Sequence, residues 1–330
     1  MPSINRRTLL AGAAATGVAV VGARAALAQS TPVPASLAGT SILITGCSSG
    51  FGRLMAEDYA RKGAKVFATM RNLPRPEAAE LRALAEADDL DLHIIEIDVT
   101  DDAQVAGGVA EAERIAGGAM DVLVNNAGIG ISSPIEVQDM EATQLMYDTN
   151  VFGPHRMVRA MLPGMRAKGG GQIFQISSQL GRVILPYSGH YSPTKFALEA
   201  ASEAMAYELV PHNIDVTIVE PGGYPTQVWV NRNINTRALK ERADEIHTAG
   251  YPQIVARMGT EDGSGRSADP MDIPRLIAKT IAMPSGTRPL RAEVSGSLIP
   301  QIGINKATRE TQVAWLGESG YGPLIRAVHD

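Results

Sequence analysis

From residue 41 to residue 219 the chain repeats one pattern: a short run of aliphatic and β-branched residues, a turn, then a longer amphipathic stretch. The runs 41–44, 65–69, 92–97, 122–124, 172–176 and 215–219 read as strands. The stretches 53–62, 76–87, 103–116, 139–149, 154–167 and 193–209 read as helices. Strands that are apolar on both sides must be covered on both faces. A helix after each strand supplies the long crossover that parallel pairing needs. The expected fold is therefore α/β, a doubly wound and mostly parallel sheet. No internal repeat and no low-complexity segment breaks the pattern after residue 36, so a single domain over 38–330 is expected.

The first strand runs into Thr45-Gly46-Cys47-Ser48-Ser49-Gly50-Phe51-Gly52. Glycines are needed where backbone turns sharply, approaches a phosphate, or packs helix on strand. The helix that follows offers unpaired N–H groups and a partial positive charge to a pyrophosphate. The loop at the first strand–helix turn thus predicts a dinucleotide site. Selection of NAD usually places an acid near the end of the second strand, to hold a ribose 2′-hydroxyl. Here the strand ends Ala68-Thr69-Met70-Arg71 with no acid. A guanidinium suits a 2′-phosphate, so NADP is favoured, with NAD possible.

The T-G-x-x-x-G-x-G loop is joined by Asp98-Val99, Asn125-Asn126-Ala127-Gly128, Asn150, Ser178, Tyr191, Lys195, and Pro221-Gly222 with Thr226. Together, in this order over about residues 38–230, they resemble the short-chain dehydrogenase/reductase family. TGCSSGFG followed by ATMR is similar to its hydroxysteroid and retinol dehydrogenase branch. The resemblance implies a Rossmann fold. It also implies a cofactor site of Thr45, Gly46, Ser48, Ser49, Gly50, Phe51, Gly52, Arg71, Asp98, Val99, Asn126, Ala127, Gly128, Pro221, Gly222 and Thr226, with Tyr191 and Lys195 shared with catalysis. Asp98 would contact the adenine; its other reading is a cap for the next helix.

Hydride transfer to a ketone leaves an alkoxide that needs a proton. A free phenol, with pKa about 10, is a poor base near neutral pH. Tyr191 and Lys195 stand four apart on one helix, read as opening at Pro193, so their side chains can meet. The ammonium is expected to favour the phenolate and tune Tyr191 for general acid–base work. Ser178, past a strand end, can donate to the substrate oxygen. The resemblance gives Asn150 a water that links Lys195 to solvent. A lone Tyr-x-x-x-Lys is usually a solvated helix face; the conjunction of Asn150, Ser178, Tyr191 and Lys195 downstream of a nucleotide loop argues otherwise. His190 is read as lining the substrate mouth or capping the helix, and Cys47 as a small buried side chain. The implied function is hydride transfer between NADP(H) and a secondary alcohol or ketone, with an apolar or amphipathic substrate. The alternative is a non-catalytic NADP-binding sensor or structural protein of the same fold; epimerase or dehydratase chemistry on nucleotide sugars fits the glycine spacing less well.

Residues 224–270 carry no strand pattern and mix Trp229 and Met258 with Arg232, Arg237, Lys240, Glu241 and Arg242, which reads as a helical substrate lid. Residues 300–330 follow no interpretable pattern. Residues 1–28 pair Arg6 and Arg7 with an apolar Ala/Gly-rich run and an Ala26-Leu27-Ala28 end, resembling a twin-arginine export signal. The run is shorter than the about 20 residues a membrane span needs. A linker over 29–37 follows. Periplasmic localisation, folded and loaded with cofactor before export, is expected, with no stable span in the mature chain; an unprocessed signal would leave the protein cytoplasmic or membrane-tethered. Net charge is −5, without a basic stripe, which argues against nucleic acid as a partner. One cysteine and no metal-spaced histidines argue against a disulfide or a metal site. The expected partner is a small alcohol or carbonyl compound. The family resemblance implies a homodimer or homotetramer, paired through the Tyr191 helix.

Overall fold

A computed structural model describes residues 36–330; the export-signal reading of 1–28 and most of the linker lie outside them. Residues 36–330 lie in one compact unit. Packing starts inside the segment read as linker: Leu37 is buried, and its N–H donates to the Lys62 carbonyl.

Seven strands, β1 Ser41–Ile44, β2 Lys65–Met70, β3 Leu92–Glu96, β4 Val122–Asn125, β5 Gly171–Ile176, β6 Ile214–Pro221 and β7 Arg291–Val294, pair in the order β3-β2-β1-β4-β5-β6-β7. Every pairing is parallel. The expected doubly wound sheet is therefore present. Its helices are α1 Gly50–Arg61, α2 Pro76–Ala87, α3 Asp102–Ala116, α4 Met140–Tyr147, α5 Gly153–Lys168 and α6 Tyr191–Leu209. They bury the apolar strand faces, with Leu43, Phe67, Leu123, Ile173 and Ile218 at the centre of one cluster. At full burial each such side chain contributes about 1.5–3 kcal/mol.

The chain order reverses between β1 and β4. The loops after these two strands diverge above the sheet, and the crevice between them is where α/β sheets bind ligands. The segment read as a lid, 224–270, holds the helices α7 Val228–Arg242, α8 Glu245–Thr248 and α9 Pro252–Arg257. Beyond it, α10 Asp272–Ile281 packs on α1, where the Tyr59 hydroxyl donates to the Pro274 carbonyl at 3.1 Å. The C-terminal segment forms α11 Ile302–Leu316 and α12 Gly322–His329. α12 lies against α6, joined by Tyr207 and His329 at 2.7 Å. No helix among the described residues is long and apolar enough to cross a membrane.

Candidate active site

The glycine loop is built as a cradle. Gly46 and Gly50 take positive φ of 72° and 58°, which side chains disfavour. A Cβ on Gly52 would stand 2.3 Å from the Gly46 carbonyl and 2.6 Å from Asn126 Nδ2, so nothing larger than glycine fits. The loop is braced from β4. Thr45 Oγ1 accepts the Asn126 and Ala127 N–H groups, each at 2.9 Å, and Asn126 Nδ2 donates to the Thr45 carbonyl at 2.8 Å. Ser49 is the N-cap of α1 but its side chain makes no cap, and the first turn holds no acid. The helix end is left to an external anion. Thr226 faces this end: its Cβ lies 3.8 Å from where a Gly50 Cβ would be. Phe51 packs edge-on against Tyr224 at 5.4 Å. Cys47 is buried, its Sγ donates to the Ile44 carbonyl, and burial pushes the thiol up to about 12, so it is a structural residue.

At the adenosine side, Arg71 is half-exposed and its guanidinium stands 3.7 Å from Asp98. Asp98 Oδ1 accepts the Thr100 N–H and hydroxyl, at 3.0 and 2.8 Å. Asp98 does not cap α3; Asp101 does, accepting from the Ala103 and Gln104 N–H groups. The Val99 side chain is core and packs where a Gly153 Cβ would be, leaving only its backbone for a ligand.

Ser178 follows β5 and turns the chain, its Oγ accepting the Leu180 N–H at 3.1 Å. Its own proton stays free to donate. α6 begins at Tyr191, two residues before the expected start. Pro193 is tolerated because first-turn N–H groups lack helical partners anyway. Lys195 is buried, and its Nζ donates to the Ile176 carbonyl at 2.8 Å and lies 5.8 Å from the Tyr191 ring centre. Asn150 sits on a π-helical turn, Asp148–Phe152, rather than in a regular helix. Its Oδ1 accepts from the Ile129 N–H at 2.8 Å, and its Nδ2 donates to the Ile129 carbonyl at 2.9 Å and to Thr194 Oγ1 at 3.1 Å. Asn150 Oδ1 and Lys195 Nζ converge on Gly128, at 3.3 and 3.7 Å from its missing Cβ. Beyond β6, the Gly222 N–H donates to the Val294 carbonyl, and Pro221 ends the strand.

The electrostatics differ from expectation in one respect. Burial pushes the Tyr191 phenol above its ordinary value; the Ser178 hydroxyl and the Arg232 charge pull it down. The Lys195 Nζ donates to the Ile176 carbonyl and stands 5.8 Å from the Tyr191 ring centre. Burial brings the Lys195 ammonium down to about 8, while Glu199, one turn on, holds it up. His190 occupies the N-cap position without capping; its ring meets Tyr147 edge-on at 5.9 Å. Two further residues reach the site: Thr194, which fixes Asn150, and Arg232. The first sits within YSPTK itself; the second is one of several charges in the segment read as a lid, and no local pattern sets it apart from the others.

A glycine cradle at the switch point, with a phenol, an ammonium and a hydroxyl beside it, defines a nicotinamide-dependent oxidoreductase. The model of the short chain dehydrogenase family matches residues 40–237, and the chain belongs to that family. It is 40% identical to a 3-ketodihydrosphingosine reductase of Bacteroides thetaiotaomicron over 59% of this chain and 67% of that one. It is 33% identical to retinol dehydrogenase 8 of Bos taurus, over 80% of this chain and 84% of that one. Among solved structures it resembles L-sorbose reductase from Gluconobacter frateurii, in complex with NADPH and L-sorbose. The TM-score is 0.65 and the identity 29%, over 81% of this chain and 98% of that one. The chain is thus an NAD(P)-dependent oxidoreductase acting on CH–OH groups, of the retinol and hydroxysteroid dehydrogenase-like branch.

Proposed function

We propose that the protein works as an NADPH-dependent ketone reductase, with Tyr191 as proton donor, Ser178 as carbonyl-oxygen donor, and Lys195 and Asn150 as the relay behind them. The observation that carries this reading is the convergence of these groups at the β4 and β5 ends, beside the Thr45–Gly52 cradle. The bound nicotinamide supplies the hydride. Support for NADPH comes from Arg71 at the end of β2, whose nearby carboxylate, Asp98, is also engaged by Thr100 and leaves the guanidinium free for a 2′-phosphate. A panel of ketones assayed with NADPH and NADH tests the reading. NADPH is expected to give the higher kcat/KM by about tenfold or more, the worth of one charge-assisted contact, and Arg71→Ala to erase the difference. Equal use of both cofactors by the native enzyme would overturn the assignment of Arg71.

Export of the folded, cofactor-loaded protein to the periplasm is part of the same proposal, supported by Arg6-Arg7 and the apolar run alone. The protein recovered from a periplasmic fraction is expected to carry nicotinamide absorbance; protein found only inside, or empty, counts against it. A homodimer or homotetramer, read by mass in solution, is supported by exposed Leu145, Phe152 and Phe196 on neighbouring elements around the Tyr191 helix.

A further inference from the structure

Two guanidinium groups enter the cleft from the lid. Arg232 on α7 lays its Cγ, Cδ and Nε 3.4–3.7 Å from where a Gly130 Cβ would be, two residues past Gly128. Its side chain is only 12% exposed, and its Nε is buried with no hydrogen-bond partner. Its one carboxylate is Glu261, 3.3 Å from a single terminal nitrogen and half-exposed. A contact of that kind is worth little against the cost of burying a charge. Arg266 stacks on Trp229 at 3.6 Å, with Arg232 5.5 Å from the same ring. The Arg266 Nε lies 3.1 Å from where a Gly223 Cβ would be, at the loop after β6. Arg266 has no ion pair with a described residue, although Asp262 feels its charge. Burial pulls the Arg232 guanidinium down, Glu261 and the Tyr191 phenol hold it up, and the Arg266 charge adds a last small push downward. Like charges held together around one indole, with one fork incompletely partnered, are arranged for an anion that the chain does not supply.

We propose that Arg232, backed by Arg266, recognises a carboxylate on the carbonyl compound that the enzyme reduces; this rests on the reductase reading above and names its substrate class. Glu261 occupies part of the fork when no substrate is present. The Tyr191 side chain packs beside Ile131, Met146, Leu239 and Met258, so the compound pairs an apolar body with an acidic group. A cationic amine on the substrate would be repelled.

The test uses the full chain carrying Trp315→Phe, which removes the exposed second tryptophan on α11 and leaves Trp229 as the reporter. The probes are 4-oxopentanoate and its methyl ester, at fixed ionic strength with saturating NADP⁺ so that the cofactor phosphates fill their own site. The acid is expected to change Trp229 fluorescence saturably, at about tenfold or more lower concentration than the ester. In Arg232→Gln the difference vanishes, and Arg232→Lys falls between. Equal responses to acid and ester, no saturable response to the acid, or an acid response that survives Arg232→Gln overturns the proposal. Turnover of the same pair with NADPH separates the two readings. Binding of the acid without reduction of either probe counts against the reductase assignment and spares the recognition one. Reduction with no preference for the acid does the reverse.

Discussion

Tyr191→Phe is expected to lower kcat for ketone reduction by about a thousandfold, within the range that loss of a positioned general acid costs. Affinity for the dinucleotide should stay within a few-fold. The substitution keeps the ring, which packs against the cluster of Ile131, Val137, Met146 and Leu239, and removes only the hydroxyl, so the fold is retained. The direction of reaction matters here. Burial holds the phenol above its ordinary value, so at neutral pH Tyr191 is protonated and set to give its proton to an alkoxide. The Ser178 hydroxyl and the Arg232 charge draw it part of the way back. Lys195, brought down to about 8, is an ammonium below that pH and loses its proton above it. Reduction by the native enzyme should therefore fall as pH rises through about 8. Steady-state rates by nicotinamide absorbance, with cofactor titrations by fluorescence, measure both arms. A Phe variant that keeps a tenth of the native kcat would mean that another group delivers the proton.

How much of this was legible beforehand depended on whether a signal was local. The strands of the sheet centre, such as Val122-Leu123-Val124, announce themselves because both faces are buried. The cradle is legible because steric closeness admits only glycine. β7 is not: Arg291-Ala292-Glu293-Val294 lies at the sheet edge and carries charges that are buried by partners far along the chain. The same holds for α11, whose Asn305 is explained only by Glu220 and Glu293, each at 2.8 Å, and by Arg182, also at 2.8 Å. The sequence singles out Asn150, but the π-helical turn that carries it has no composition of its own. Helix pattern predicts that a residue is on a helix, not that one turn is widened; such turns recur at functional sites. Arg232 shows the limit most plainly. Trp229 lies one turn earlier on the same helix, but Gly130 and Arg266 come from two other segments, and a charged lid helix looks like a solvated one until it is folded over a cleft.

Arg291→Met is expected to cost about 3–5 kcal/mol of stability, the range for removing one partner from a buried ionic cluster. For a domain of this size that is a melting-temperature drop of about 5–8 °C. The Arg291 side chain is 8% exposed and meets Glu199 at 3.0 Å, Glu203 at 2.6 Å and Glu220 at 3.4 Å. Without it, three carboxylates lose the one guanidinium that contacts them all, and only the charge of Arg182 still lowers Glu199 from nearby. Methionine fills the space, so the loss reads charge and not a cavity. The pH dependence separates this account from simple mispacking. Burial and then the Glu199 charge push Glu220 up to about 8, against an ordinary value of 4.5. Between those values the folded chain holds a proton that the unfolded chain has released, so Glu220 makes stability fall as pH rises through that window. Taking away Arg291 raises Glu199 and Glu220 further, since its charge lowers both. The deficit of the variant should therefore be larger at pH 9 than at pH 5.5, where protons do part of the guanidinium's work. Glu199 also stands one turn from Lys195 and holds its ammonium up, so the cluster reaches the chemistry through a single carboxylate. Thermal melts of both proteins at the two pH values decide the matter: a deficit below about 1 kcal/mol, or one independent of pH, would show that the cluster is not held by Arg291.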